Sequence, residues 1–310
     1  MTSASVREPR TEVAKGTIYG FSAYLIWGIV PIYWPKLQPA RPLEILSHRI
    51  IWSLVFLIGV IVIQKKSDRV ISILRNRRQI GLLALASVLI AVNWGLFIWC
   101  SVNGHLLDSS LGYFITPLVS VGFGVVFFKE KLRTIQWVAL SIAAGAVVYL
   151  TIAMAKAPTV AIALAFTFGI YGYVKKLANV DAIESLTVET LLLAPVALGY
   201  LAWLASKGEN TFFAHGVTHS MWLASAGVVT AIPLLMFGAA AIRVPLSTLG
   251  MLQYLGPTLQ YFIGLYMFNE IMSPARFHGF VITWVALIIL SIDGWRHRSS
   301  VTKDFVPDMD

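Results

Sequence analysis

The sequence predicts an all-α membrane protein of ten transmembrane helices, arranged as two inverted five-helix repeats. Three observations carry this expectation: a composition poor in charge, apolar runs of membrane-spanning length, and a shared register of residues between the two halves. Of the 310 residues, 57% are hydrophobic and only 13% are charged, and the mean hydropathy is +0.76. Soluble domains are usually about 25% charged, so this chain lacks the means to wet a globular surface.

A helix needs roughly 20 apolar residues to cross a hydrocarbon core of about 30 Å. Ten stretches meet that length, near 16–34, 42–63, 80–101, 109–128, 134–152, 158–174, 185–206, 220–240, 247–268 and 275–293. The first fifteen residues are polar, and the run after them is long enough to stay in the membrane, so no cleaved signal peptide is expected. Connections are short except 64–79 and 207–219. Within 67–79, Val70, Ile71, Ile73 and Leu74 suggest a short amphipathic helix on the inner leaflet. The single cysteine, Cys100, excludes an internal disulfide.

Lys and Arg counts set the orientation. Eighteen fall in the N-terminus, the loops after even-numbered spans and the tail, against five on the other side: Lys36, Arg41, Lys156, Lys207 and Arg276. Both termini are therefore expected in the cytoplasm, in a multi-pass protein of the bacterial inner membrane. The net charge of +9 is then topogenic, and no nucleic-acid partner is expected.

The halves match at an offset near 140. In 111–130 and 251–270, Pro117 pairs with Pro257, Gly124 with Gly264, Phe128 with Phe268 and Glu130 with Glu270. The second and seventh spans also align, setting Glu44 on Glu184 and Arg49 on Glu189. Five spans is an odd number, so the second half enters from the opposite face. The expected organisation is an N-terminal repeat over 1–155 and a C-terminal repeat with a short polar tail over 156–310. Inverted repeats suit alternating access, with a site near the midplane where the halves meet.

Six segments carry a family resemblance: AYLIWGIVPIYW (23–34), EILSHRIIWS (44–53), LDSSLGYFITPL (107–118), FFKEKL (127–132), DAIESLTVETLLL (181–193) and VPLSTLGMLQYLGPT (244–258). With them the chain resembles the EamA-type members of the drug/metabolite transporter superfamily, and among these the RarD-like proteins. The resemblance implies ten helices in two five-helix repeats, cytoplasmic termini, a cavity lined by both halves, and export. RarD-like proteins are named for an association with chloramphenicol sensitivity.

Charges inside spans are costly unless paired or wet. Arg49 lies about two turns into the second span, next to His48, with Glu44 one turn back from His48. Arg49 and His48 are candidates for holding a substrate carboxylate or relaying protons, or alternatively for internal pairing. Glu189, one turn inside the seventh span, is a candidate for proton coupling. Glu44 could share in it, but it and Glu184 also sit where negative charge favours a helix start. Asn93 could line a cavity or bridge helices. Tyr113, Gln253 and Tyr254 stand just before Pro117 and Pro257, which can break a helix and free a carbonyl. Tyr24, Trp27, Trp94 and Trp99 lie deep enough to line a pocket for a flat or cationic solute. Tyr33, Trp34, Trp203, Trp222 and Trp295 sit near span ends, as interfacial anchors do. Gly16 and Gly20 form a GxxxG, and Glu130 and Glu270 sit in short loops where capping is expected.

No phosphate-cradling GxxxxGK[ST] occurs, so no ATP site is expected in this chain. HGVTH (215–219) lacks the glutamate of HExxH and falls in an expected loop, so no metal is expected. No catalytic residue and no cofactor is expected either. The functional expectation is a secondary transporter of a small organic solute, an amino acid, metabolite or drug-like compound, working as an exporter coupled to protons or to the solute gradient. The alternatives are metabolite uptake, a membrane-embedded enzyme built on Glu44, His48 and Arg49, and a sensor or scaffold.

Overall fold

Hydrocarbon offers no hydrogen-bond partner, so an apolar chain must satisfy its backbone amides within each segment, and helices do so. The computed structural model describes residues 9–102, 106–153, 159–267 and 273–296. Every element among the described residues is helical. The order is α1 (Pro9–Ile29), 3-10 turns at Val30–Ile32 and Trp34–Leu37, α2 (Pro42–Ile63), α3 (Ser67–Arg75), α4 (Arg77–Val102), α5 (Leu106–Phe128) and α6 (Thr134–Ala153). Then follow α7 (Thr159–Ala178), α8 (Ala182–Ser206), α9 (Gly216–Ala241), α10 (Leu246–Leu252), α11 (Leu255–Met267) and α12 (Pro274–Arg296).

Among the described residues, seven helices are long and apolar enough to cross a membrane: Thr11–Ile32, Pro42–Ile63, Arg77–Cys100, Thr134–Ala153, Thr159–Ala178, Ala182–Ser206 and Gly216–Ala241. Two further apolar stretches, Gly112–Phe128 and Phe277–Ala286, are shorter. Val62, Val126 and Val196 face outward with 62%, 68% and 74% of their surface exposed. That surface suits lipid, and the chain is a multi-pass membrane protein.

Several boundaries differ from the sequence expectation, three of them for a clear local reason. The sixth of the long helices in chain order, α7, runs on to Ala178 rather than ending at 174, because Lys175 finds a buried partner and need not reach water. Helix α9 starts at Gly216, so His219 belongs to its first turn rather than to a loop. The expected span 247–268 is two helices, α10 and α11, parted at Gln253 and Tyr254. Pro257 lacks the N–H that would bond the Gln253 carbonyl, and Gly256 N donates to that carbonyl at 3.3 Å in a tighter turn. By contrast α5 runs unbroken through Pro117, whose carbonyl lies against Gly250 of α10. The amphipathic segment is α3, but Val70 and Ile73 pack with Leu83 and Val188 of α4 and α8. Its apolar face is therefore turned to the protein, with Ile71 left exposed. Phe268, Glu270, Lys156 and the tail from 297 lie outside the described residues.

Helix α1 packs on α9 and α11, and α7 packs on α4 and α5. Helix α2 lies against α8 and α9, α6 against α12, and α10 against α5. Small residues allow the close approaches. A Cβ on Gly16 would meet Arg243 Cβ and Val244 Cγ1 at 2.7 Å, and one on Gly20 would meet Leu252 at 3.0 Å, so the GxxxG of α1 is a contact face toward the α9–α10 corner. Gly227 of α9 lies on the backbone of Trp52 and Ser53 in α2, where a Cβ would come within 2.3 Å. Ser53 Oγ seals that crossing by donating to the Gly227 carbonyl at 2.9 Å.

Glu130, in the α5–α6 loop, caps α10. Its carboxylate accepts from Leu246 N at 2.8 Å, Ser247 N at 2.9 Å and Lys176 Nζ at 3.1 Å. Burial raises the carboxyl's proton affinity, but the bonds from Ser247 and Leu246 and the Lys176 charge outweigh it and hold the pKa below its ordinary 4.5.

Two outcomes are expected. Gly227→Ala should lower the thermal stability of the detergent-solubilised protein by about 1–3 kcal/mol through overpacking, while Gly59→Ala, with nothing within 4 Å, should not lower it. Glu130→Gln should cost about 0.5–2 kcal/mol at pH 7. A carboxyl with a depressed native pKa stabilises the fold above its unfolded pKa, and that stabilisation fades as pH falls through the native value. The gap between wild type and Glu130→Gln, followed by thermal unfolding, should therefore shrink as pH is taken below 4.5.

Candidate functional site

A cavity of about 700 Å³ of empty space, its mouth included, lies where α1, α2, α4, α5, α7, α9 and α11 meet. Tyr24, Trp27, Val30 and Trp34 line it from the first helix and its 3-10 turns, and Arg49 from α2. Asn93, Trp94 and Phe97 come from α4, Tyr113 from α5, Phe168 from α7, and Val229 and Thr230 from α9. Gln253, Gly256, Pro257 and Gln260 come from the α10–α11 break and the turn after it.

Among the described residues, Arg49 is the one charged group on this lining. It is 4% exposed. Its Nε donates to Thr230 Oγ1 at 2.9 Å. The guanidinium stacks 4.8 Å from the Trp34 ring centre and 4.4 Å from that of Trp94, contacts that attract a cation most strongly when it is dry. Among the described residues no carboxylate pairs with it, and its Nη1 has no hydrogen-bond partner. Two other buried donors on this lining are likewise unpartnered, Tyr24 Oη and Trp34 Nε1.

The neutral polar side chains are partly spent. Asn93 both borders the cavity and bridges helices, its Nδ2 donating to Leu164 O at 2.9 Å and Thr167 Oγ1 at 3.0 Å. Gln260 Nε2 donates to Trp27 O at 3.2 Å, and Ser120 Oγ to Gln253 Oε1 at 3.4 Å. Aromatic packing fixes the walls: Trp27 meets Phe168 edge-on at 5.6 Å, and Phe97 meets Tyr113 at 5.5 Å.

Of the sequence candidates, the structure brings together Tyr24, Trp27, Arg49, Asn93, Trp94, Tyr113, Gln253 and Pro257. It puts the others elsewhere. His48 stacks on Phe212 at 4.7 Å, on another face of α2. Glu44 is fully buried and accepts from Thr211 N at 2.7 Å and Thr211 Oγ1 at 2.9 Å, with His219 Nε2 a further 3.0 Å from that hydroxyl. It thus ties down the 207–215 loop rather than capping its own helix. Glu184, set against Glu44 in the expected repeat, lies 3.1 Å from Lys66 Nζ. Tyr254 faces a small crevice with Val121, Ala139 and Met251. Trp99 is 42% exposed on the outer surface.

Glu189 does not reach the cavity. Its Oε1 accepts from Lys175 Nζ at 2.6 Å and from Ser185 Oγ at 2.8 Å, and its Oε2 from Tyr171 at 3.2 Å. Lys175 and Glu189 are 3% and 1% exposed. The Tyr171 ring stacks on Phe237 at 5.8 Å, and Phe237 packs on Trp27 at 5.8 Å, so one layer of rings separates the ion pair from the cavity wall.

Sequence reasoning missed Lys175, assigning it to a loop, and Trp34, taken for an interfacial anchor. It also missed Val30, Phe97, Phe168, Val229, Thr230, Gly256 and Gln260. One signal could have found Phe168: it stands 141 residues after Trp27, the ring it faces.

Losing one partner of a buried ion pair strands the other charge, at a cost of roughly 3–5 kcal/mol. Lys175→Met should lower thermal stability by about that much, and Lys175→Met combined with Glu189→Gln should recover most of it; equal losses in both would mean that the pair's charge is not what matters.

The comparisons agree with this architecture. The model of the EamA-like transporter family matches residues 14–152. Protein RarD of Streptomyces exfoliatus is 48% identical over 285 residues, covering 92% of this chain and 90% of its own. An uncharacterized transporter of Vibrio cholerae is 40% identical over 91% of this chain and 94% of its own. One solved crystal structure superposes with a TM-score of 0.67 at 14% identity, covering 89% of this chain and 97% of its own, a likeness of fold alone. With these relatives matched over nearly their whole lengths, the chain belongs to the EamA-type transporters, among their RarD-like proteins.

Proposed function

We propose that this protein is a secondary transporter that exports small organic solutes by alternating access of two inverted five-helix repeats, 1–155 and 156–310, with both termini in the cytoplasm. The observation that carries the proposal is the cavity around Arg49. It draws residues from both halves, it is lined largely by aromatic rings, and it holds a cation that no carboxylate among the described residues pairs with.

The packing supports the repeat. Exchanging the halves turns the seating of α1 on α9 and α11 into that of α7 on α4 and α5, and both occur. The same contact recurs at the repeat offset: Gly28 lies against Leu259, and Gly169 against Val119. Tyr113 and Gln253, 140 apart, both line the cavity. The sign of charge is exchanged at one such pair, Arg49 and Glu189.

Alternating access also needs contacts at each end that can open. At the end where α1 begins, Arg243 Nε donates to Glu12 at 3.0 Å and Lys176 to Glu130 at 3.1 Å. At the other end Tyr33 Oη bonds Trp222 O at 2.5 Å and Ser225 at 2.8 Å. Each set joins elements of opposite halves. Proton coupling, on this reading, runs through Glu189: it can take a proton only when Lys175 leaves it, which ties protonation to movement of α7 against α8.

Vesicles containing this chain alone test the proposal. Counterflow should be seen for at least one member of a panel of amino acids, aromatic acids, aromatic cations, nucleosides and phenicol drugs, and Arg49→Ala should reduce it at least tenfold. A panel that nowhere exceeds empty vesicles would overturn the transport reading.

A further inference from the structure

We infer that the solute bound in the Arg49 cavity is an aromatic monocarboxylate, an organic anion with one negative charge, a flat apolar body and no ammonium group. The inference rests on the transport reading above and narrows it.

Charge comes first. A buried guanidinium without a counter-ion is costly, and stacking on Trp34 and Trp94 offsets only part of that cost. A bound anion would supply the missing charge. One cation compensates one negative charge, so a phosphate dianion or a dicarboxylate would leave a net charge in the membrane interior.

Hydrogen-bond polarity points the same way. The unpartnered buried groups on this lining, Arg49 Nη1, Trp34 Nε1 and Tyr24 Oη, are all able to donate. A guanidinium and an indole have no acceptor to offer. Such a set suits carboxylate oxygens, and only one of its three members, the Tyr24 hydroxyl, could accept from an ammonium. Among the described residues no acidic side chain occurs on the lining, and the nearby carboxylate of Glu189 is already held by Lys175, Ser185 and Tyr171. A zwitterionic amino acid would therefore bring a cation into a cavity that already holds one and, among the described residues, offers no anion to meet it.

Shape completes the class. Trp27, Phe97, Tyr113 and Phe168 form the remaining walls, and ring faces and edges at these spacings accept another planar ring.

The test compares close analogues on the full-length protein in detergent, by calorimetric titration. 3-Phenylpropionate and L-phenylalanine differ only by the ammonium group, 3-phenylpropanamide replaces the charged carboxylate by a neutral amide, and phenethylamine is a cation. The acid should bind at least tenfold more tightly than the other three. Trp34→Phe keeps the ring and removes the N–H; it should weaken the acid several-fold and leave the amide unchanged. Arg49→Gln should abolish the preference for the acid, whereas Glu189→Gln should keep it. Equal or tighter binding of phenylalanine, the amide or the amine would overturn the inference. So would a wild-type protein, monodisperse and cooperatively unfolding, that binds none of the four. In either case the panel counterflow decides separately whether the transport reading stands: movement of another solute keeps it, and movement of none removes it.

Discussion

In hydrocarbon, a polar group has to find its partner inside the protein, and this constraint organises most of what the structure contains. It explains the all-helical backbone. It also explains why hydroxyls inside helices turn back on their own chain, as Thr116 does to Gly112 O and Thr187 to Ile183 O, both within 2.8 Å. Asn93 spends its amide hydrogens between α4 and α7, and Lys175 and Glu189 neutralise each other in place. Against that background, the convergence of three unpartnered buried donors, Arg49 Nη1, Trp34 Nε1 and Tyr24 Oη, on one cavity needs a reason. A site kept for a visiting solute supplies one.

The cost of such a site is distributed rather than local. Arg49 is tied by one hydrogen bond to Thr230 and clasped by two indoles, so its position depends on α1's 3-10 turns, α2, α4 and α9 together. Those helices approach closely because Gly227, Gly16 and Gly28 leave room at the crossings. A rigid clasp and thin, small-residue crossings are compatible: the first holds the charge in register, the second brings the helix backbones close together around it.

The second buried charge centre has a different character. Glu189 is fully hydrogen-bonded, and its pairing joins α7 to α8. The Tyr171–Phe237–Trp27 stack connects it physically to the cavity wall. On the proposed mechanism this is where movement and protonation meet, because the carboxylate is exposed to a proton only if the helices separate. The charge exchange between Arg49 and Glu189 gives the two proposed halves different work, one facing solute and the other held in reserve.

The sequence by itself determined the helical, membrane-embedded class, most helix positions and the residues whose presence in an apolar run had to be accounted for. Arg49, Asn93, Tyr113 and Gln253 were legible because a polar group in a span carries a large cost wherever it points. Tertiary structure alone decided which of them face each other. Successive residues on a helix point about 100° apart, so His48 leaves the cavity that Arg49 enters, while at the α10–α11 break Tyr254 turns away from Gln253 into a separate crevice. Trp34 looked like an anchor because linear position says nothing of a 3-10 turn that folds the ring back over the guanidinium. Lys175 looked like a loop charge because its partner is fourteen residues on, in another helix. Periodicity fixes the face of each helix, but rotation and neighbour are set only by packing, and packing made these residues into a site.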